Sequence, residues 1–156
     1  MSWRWCVVTF FGAGASPVAP GTAGSLAATG IAWVVVASDI RGAAGWLLGL
    51  AFVASSLNVA LGAWIEDHFG GKDPGAVVID ECAGQWIALL PLAWAGDSAW
   101  PWYLAGFLLF RAFDIVKPLG ARRLEKLPRG WGVLLDDVLS GIYVAGIIAV
   151  AHAQWS

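Results

Sequence analysis

The sequence is poor in charge, and this scarcity excludes several classes of protein. Only 13% of its 156 residues are charged, and the mean hydropathy is +0.72. The formal net charge of −2 offers no basic surface, so we expect no nucleic-acid partner. A chain this apolar is more typical of a protein that lies in or against a membrane than of an ordinary soluble domain.

Cysteine and histidine are also scarce, and their positions exclude further kinds of site. Cys6 and Cys82 lack the paired spacing of a zinc site or a disulfide framework, so both are predicted to be small buried residues. Neither begins a Cys-x5-Arg motif, because Gly and Ala occupy positions 12 and 88. His68 and His152 are the only histidines and are expected on opposite sides of the molecule, which argues against a phosphohistidine mechanism.

Apolar segments of helical length make up most of the chain, and the alternation typical of strands is absent. The segments cover residues 24–37, 43–65, 82–95, 100–116 and 138–153. Frequent glycines weaken soluble helices but allow helices to approach closely in lipid. We predict an all-α fold, a compact membrane-embedded bundle of about five apolar helices in one domain over residues 1–156. Only 43–65 comfortably reaches the roughly 20 residues of a full crossing, so a bundle partly outside the bilayer is the alternative.

The distribution of basic residues predicts a topology. If the N-terminus is cytoplasmic and the five segments alternate, the outer loops contain one basic residue, Arg41, and the other eight lie inside. Such an excess of cytoplasmic Lys and Arg is typical of bacterial membrane proteins. Trp46, Trp94, Trp100, Trp102 and Trp155 then lie near the outer interface, where indole rings are favoured.

Three clusters of acidic residues are the strongest functional signal, and the predicted topology places all three on the cytoplasmic side. They lie within residues 72–81, 111–118 and 130–137. Charge is costly beside lipid or core, so clustered acids indicate a site. The adjacent pairs Asp80–Glu81 and Asp136–Asp137 favour a hard metal ion, because neighbouring carboxylates repel unless a cation lies between them or one is protonated. Helix-end charge and helix capping are the structural alternatives.

Cations accompany the acids and predict a phosphate ligand. Arg111, Asp114 and Lys117 are spaced so that Asp114 can contact both cations on a helix. Asp114 would then bind a metal or orient a cation while Arg111 and Lys117 hold phosphate oxygens, although a structural ion pair is the alternative. In the basic loop that follows, Arg122 or Arg123 is expected either to reach a substrate phosphate or to attract anionic headgroups.

Two loops complete the predicted site. Residues 16–25 run into a helix start, where free backbone N–H groups with the hydroxyls of Thr22 and Ser25 predict a phosphate cradle. Simple helix capping by either hydroxyl is the alternative. Lys72 and Asp73 precede a Pro-Gly turn and are expected to line the mouth of the site.

Four ordered motifs that span nearly the whole chain resemble those of bacterial phosphatidylglycerophosphatase A. They are PGTAGS at 20–25, DPG at 73–75 with DECAGQW at 80–86, RAFDIVKP at 111–118, and GWG at 130–132 with Asp136 and Asp137. The resemblance implies an all-helical, Mg²⁺-dependent phosphatase that converts phosphatidylglycerophosphate to phosphatidylglycerol, the precursor of cardiolipin. One departure is Gly120, where the family usually has a second proline.

The residues and the resemblance together predict a site. The catalytic residues are Asp80, Glu81, Asp114 and Asp137, and the Mg²⁺ ligands are Asp80, Glu81, Asp136 and Asp137. The substrate phosphate is expected to bind Thr22, Ser25, Lys72, Arg111, Lys117 and Arg122. Metal-assisted attack by water is the expected chemistry, and the choice of base among the carboxylates stays open.

The predicted setting is the bacterial cytoplasmic membrane, with the active site facing the cytoplasm and membrane lipids as partners. Glycine-rich helix faces are compatible with a homo-oligomer. Two alternatives stay open. Intramembrane charges also mark transporters and channel subunits, although here the charges collect at one end of the segments. A phosphatase for another lipid phosphate, such as phosphatidic acid, would need the same groups.

Overall fold

A computed structural model describes residues 2–71, 74–116 and 130–155, and no strand occurs in these ranges. The helices are α1 (Trp3–Val8), α2 (Pro20–Ala37), α3 (Ala43–Phe69), α4 (Ile79–Ala88), α5 (Leu90–Ala95), α6 (Trp100–Val116) and α7 (Trp131–Trp155), with a 3-10 turn at Ala13–Ala15. The predicted all-α class is confirmed.

The described residues contain seven α-helices, where the sequence predicts about five. The predicted segment 82–95 is divided at Leu89, and Pro91 lies in the first turn of α5. Proline is tolerated there because the first N–H groups of a helix have no intrahelical partner. Gly96, in the left-handed conformation, then ends α5. The predicted segment 100–116 coincides with the described extent of α6.

Two helices begin earlier than predicted, and this changes where the acids lie. α2 begins at Pro20 rather than residue 24, and α7 begins at Trp131 rather than residue 138. Asp136 and Asp137 therefore lie in the second turn of α7, not ahead of it. Helix capping cannot explain a carboxylate in the second turn, because the unsatisfied N–H groups belong to the first.

Among the described residues, three helices are long and apolar enough to cross a membrane, namely α2, α3 and α7. Each helix of the interrupted α4–α5 pair is shorter than the roughly 20 residues that a full crossing requires, and the described part of α6 covers 17 residues. The alternation of five crossings is thus not matched by the helix lengths. The three long helices indicate a membrane protein.

α4 is the central element, and it packs most extensively against α7 while also contacting α2, α3 and α6. Its crossing with α7 is a backbone-to-backbone contact. A methyl group on Gly141 would collide with the carbonyl oxygen of Gly84, and one on Gly84 would lie 2.5 Å from the carbonyl oxygen of Asp137. The close crossing therefore brings the acids of α7 beside those at the start of α4.

Candidate active site

The first turn of α4 supplies two carboxylates to the interior of the bundle. Asp80 is only 3% exposed, and its Oδ1 accepts a hydrogen bond of 3.0 Å from the backbone N–H of Glu81. Acidic side chains suit this position because the helix dipole is positive at the N-terminus. Buried carboxylates need charge compensation, so this turn indicates a binding site and not a solvated helix end.

Arg111 on α6 connects three of the predicted site residues. Its Nη1 lies 2.7 Å from Oδ2 of Asp114 and 3.3 Å from Oε1 of Glu81, and it donates to Oγ of Ser25 at 3.5 Å. The predicted i, i+3 contact between Arg111 and Asp114 is therefore present. The added contacts to α4 and α2 make it more than the helix-end ion pair considered as the alternative.

The acids of α7 complete the cluster. Asp136 and Asp137 are 1% and 2% exposed, and the carboxyl groups of Asp137 and Asp114 lie within hydrogen-bonding reach of each other. Two carboxylates cannot share a hydrogen bond unless one carries a proton or a cation takes the proton's place. Acids from α4, α6 and α7 thus meet in one buried region, as the sequence predicts.

The N-terminus of α2 lies against this region. A methyl group on Gly21 would overlap the carboxylate of Glu81, so the first turn of α2 approaches that side chain at backbone distance. Ser25 is fully buried and contacts Arg111, whereas Thr22 is half-buried in the first turn. The structure thus brings both hydroxyl residues to the predicted end of the bundle. Lys72, Asp73, Lys117, Arg122 and Arg123 lie outside the described residues.

Electrostatics at Glu81 reflect this burial. Desolvation by burial and the neighbouring Asp80 raise the pKa of Glu81 to about 8, against a smaller lowering by Arg111. Among the described residues, the guanidinium of Arg111 does not offset the effects of burial and of Asp80 on Glu81. An additional cation would favour the ionised form of Glu81.

The chemistry of the side chains fits a hard cation such as Mg²⁺. Oε2 of Glu81 and Oδ2 of Asp137 are buried and have no hydrogen-bond partner among the described residues. Hard divalent cations prefer such carboxylate oxygens. Within residues 2–71, 74–116 and 130–155, no three acidic, His or Cys side chains already form a metal-binding group, so an ion would have to draw the carboxylates together.

Two uncharged polar residues near the acids were missed in the sequence analysis. Gln85 lies one turn after Glu81 and Ser140 three residues after Asp137, and both are fully buried. Neither the amide of Gln85 nor Oγ of Ser140 has a hydrogen-bond partner among the described residues. Their helical spacing from the acids was visible in the sequence, but their burial was not.

Comparison with known proteins identifies the family. The phosphatidylglycerophosphatase A family matches residues 6–152. The chain belongs to this family. The family name specifies hydrolysis of a phosphate monoester, so the protein is a phosphatase. No solved structure matches the chain.

Named bacterial proteins are similar to this chain over most of its length. The phosphatidylglycerophosphatases A of Escherichia coli and Haemophilus influenzae are 33% and 39% identical, covering 93% of this chain in each case and 81% and 85% of the relatives. A Bacteroides thetaiotaomicron protein provisionally named phosphatidylinositol-3-phosphatase is 45% identical, covering 94% of this chain and 91% of its own. The predicted family is confirmed, and its relatives carry two different substrate names.

Proposed function

We propose that this protein hydrolyses phosphatidylglycerophosphate to phosphatidylglycerol and phosphate, in a Mg²⁺-dependent reaction at the buried acidic site. The observation that carries the proposal is the meeting of carboxylates from α4, α6 and α7 with Arg111 and the N-terminus of α2. The relatives named phosphatidylglycerophosphatase A support the choice of substrate.

Asp80, Glu81, Asp136 and Asp137 would hold the magnesium ion. Bound there, Mg²⁺ would lower the pKa of a coordinated water and offset negative charge on the phosphoryl oxygens. The protein's part would be to bring these carboxylates near one another, and the burial of Asp80, Asp136 and Asp137 beside the Gly84–Gly141 crossing supports this. One of these carboxylates, or Asp114, would accept the proton of the attacking water.

Arg111 would bind the phosphate and remain oriented by its acidic neighbours. Asp114 and Glu81 both contact Nη1, while Nε is buried and has no partner among the described residues. A guanidinium held at one nitrogen can present its other donors to two oxygens of a phosphate. Thr22 and Ser25, with Lys72, Lys117 and Arg122, would supply the remaining contacts.

The site would face the cytoplasm. The support is the positive-inside asymmetry of the sequence, which is the same if only α2, α3 and α7 cross, because Arg41 then remains the one outer basic residue. The clustering of the acids at one end of α4 and α7 adds to it. The phosphorylated headgroup would enter from the cytoplasmic interface, and the product would remain in the membrane for later steps of phospholipid synthesis.

A second substrate has specific support. The Bacteroides relative, at 45% identity, is named for a 3-phosphate on an inositol lipid. Its name favours a phosphomonoester on a larger, ring-shaped headgroup. The same acids, Arg111 and metal would act on either substrate, so the two proposals differ only in how the headgroup is recognised.

The test is phosphate release in mixed micelles from phosphatidylglycerophosphate, phosphatidylinositol 3-phosphate and phosphatidic acid, each with Mg²⁺ or with EDTA. Wild type is compared with Asp137→Asn and with Asp39→Asn as the matched control. Asp39 is exposed, and it follows α2, whose 18 residues separate it by about 27 Å from the site end.

We expect Mg²⁺-dependent release with the highest kcat/KM on phosphatidylglycerophosphate, a loss of roughly 100-fold or more in Asp137→Asn, and no change in Asp39→Asn. A higher kcat/KM on phosphatidylinositol 3-phosphate would favour the second substrate. Full activity in EDTA, or in Asp137→Asn, would contradict the metal-dependent mechanism at this site.

A further inference from the structure

An apolar cavity lies directly beside the acidic site, between the N-terminal segment, α3 and α4. Its volume is about 230 Å³, and no polar surface lines it. The lining includes Phe10, Leu50, Val53, Leu57, Ile79 and Trp86. A cavity of this size without polar partners does not hold ordered water and is suited to an apolar ligand.

The cavity continues along α3 as a longer groove. A second space of about 510 Å³ is lined by Gly42, Gly45, Trp46 and Gly49, and it shares Leu50 and Val53 with the first. From position 42 to position 57, α3 rises about 22 Å. The two spaces together therefore form a groove that runs along α3 away from the acids. Its length is comparable to that of a lipid acyl chain.

The end of the groove near Leu57 meets the acidic site on two helices. Ile79 lines the cavity, and the next residue is the buried acid Asp80. Leu57 also lines it, and the next residue, Asn58, borders a small space beside Asp80. The apolar lining of the groove thus ends one residue from Asp80 on α4 and one residue from Asn58 on α3.

The backbone at this end of the groove is strained. Phe10 and Phe11 have φ values of 47° and 56°, a region that residues other than glycine rarely adopt. The ring of Phe10 packs edge-on against Trp86 at 5.8 Å, while Phe11 is 83% exposed. Strain of this kind persists where the surrounding structure requires it, often at binding sites.

The glycines along the groove have no packing role within the bundle. A methyl group on Gly45 or Gly49 would meet no atom within 4 Å, in contrast to Gly84 and Gly141 at the α4–α7 crossing. Glycine in a helix costs about 1 kcal/mol relative to alanine. On α3 the missing side chains leave the groove open beside Leu50 and Val53. These glycines therefore shape the groove and do not serve a contact between helices.

We propose that this groove binds one acyl chain of the lipid substrate and so aligns its phosphate with the acids. The proposal rests on the proposed function, because it assigns the tail of the same substrate. The position of the groove's end, at Ile79 and one residue from the buried Asp80, favours the substrate's own chain over a second copy of the protein. Chain length, and not only the headgroup, then determines how well a substrate is used.

The test compares phosphatidylglycerophosphate with 16-carbon chains and with 6-carbon chains, for wild type and groove-filling variants. Gly49→Leu and Val53→Trp fill the groove without touching the acids. Gly30→Leu is the matched control, because Gly30 is an exposed helical glycine whose added methyl group would also meet no atom. Circular dichroism in detergent checks that each variant is folded.

We expect the groove variants to lose about tenfold in kcat/KM on the long-chain substrate, as loss of contact with about two methylenes implies, and less than about twofold on the short-chain one. Gly30→Leu should change neither. Equal losses of kcat/KM on both substrates, or no loss on either, in an active enzyme would contradict acyl-chain binding in the groove. The proposed phosphatase function would be unaffected. Failure of wild type to hydrolyse either substrate would instead overturn the proposed function and this inference with it.

A second measurement does not depend on variants. Wild type is photolysed with a phosphatidylglycerophosphate analogue that carries a diazirine near the end of one acyl chain. We expect labelling within residues 42–57 that excess unlabelled substrate suppresses. Labelling spread evenly over α2, α3 and α7 would indicate bulk lipid contact, and an α3–α3 crosslink between two chains would assign the groove to a second copy. Either result would overturn the proposal.

Discussion

The two ends of the bundle use polar side chains in opposite ways. At the end away from the acids, Asp97 accepts from the N–H of Ala99 at 2.7 Å and pairs with His152 at 2.8 Å, while Trp33 donates to the carbonyl of Ser98 at 2.9 Å. At the acidic end, buried polar atoms of Glu81, Gln85, Arg111, Asp137 and Ser140 have no partner among the described residues.

This difference distinguishes a structural cluster from a binding site. Buried polar groups in native proteins are nearly always hydrogen-bonded, and each exception calls for an explanation. The hydrogen bonds at the Asp97 end join α7 to the loop between α5 and α6, and they need nothing more. At the acidic end, several buried polar atoms lack a partner among the described residues, as expected if a cation and a phosphate bind there. The comparison predicts that substitutions at one end reduce activity and at the other reduce stability.

The largest effect is expected at Arg111. Lysine in its place keeps one positive charge but cannot hold Asp114 and Glu81 while presenting two parallel donors. We expect Arg111→Lys to lose roughly 100-fold or more in kcat/KM with a small change in melting temperature. Arg41→Lys, an exposed change on the loop between α2 and α3, is the control. Near-normal activity of Arg111→Lys would show that Arg111 only joins the helices through ion pairs and does not bind the phosphate.

The next largest effect is expected at the crossing of α4 and α7, which brings the acids together. Alanine at Gly141 would collide with the carbonyl oxygen of Gly84 and push α7 away from α4. We expect Gly141→Ala to destabilise the protein by about 1–3 kcal/mol and to lower activity at temperatures where it remains folded. Gly146→Ala, on the same helix with open space around it, should be neutral or slightly stabilising. Melting in detergent and kcat/KM are the measurements.

Gln85 gives the sharpest separation of activity from stability. Methionine has a similar shape and removes an amide that has no partner among the described residues. We expect Gln85→Met to keep or raise the melting temperature while activity or Mg²⁺ affinity falls roughly tenfold. Gln154→Met, at an exposed position of α7, should change neither. A marked loss of stability in Gln85→Met would show that the amide has a structural partner and would remove it from the site.

The smallest effect is expected at Asp97. The hydrogen bonds from Ala99 and His152 lower the pKa of Asp97 below its ordinary value of 3.8. A lowered pKa in the folded state stabilises the fold above the ordinary pKa, and the contribution disappears as pH falls below about 3.8 through the folded-state value.

Because the side chain of Asp97 is still 26% exposed to solvent, we expect Asp97→Asn to cost only about 0.5 kcal/mol near neutral pH, with phosphatase activity unchanged. Wild type and variant should converge in melting temperature at acid pH. A difference that persists unchanged at low pH would assign the effect to packing, and a loss of activity would contradict the division between the two ends.

Local sequence patterns predicted most of the helices, and tertiary contacts explain the errors. α6 was predicted because apolar residues continue on both sides of its two charged residues, Arg111 and Asp114. α7 was predicted to begin seven residues late because its first turns carry Asp136 and Asp137, which a hydropathy pattern excludes. Their burial is possible only because α4 and α6 supply the surroundings, which no local pattern represents.

For the site, the sequence by itself determined the residue types, the family and the placement of the acids at one end of an apolar bundle, since charge is too costly elsewhere in such a chain. Only the tertiary structure decided that Arg111 contacts Glu81 and Ser25, which are 30 and 86 positions away, and that the amide of Gln85 is buried without a partner among the described residues. It likewise formed the groove beside Asp80, because a cavity exists only between helices that have packed. Spacing along one helix follows from its periodicity, whereas contacts between helices depend on how closely their backbones approach.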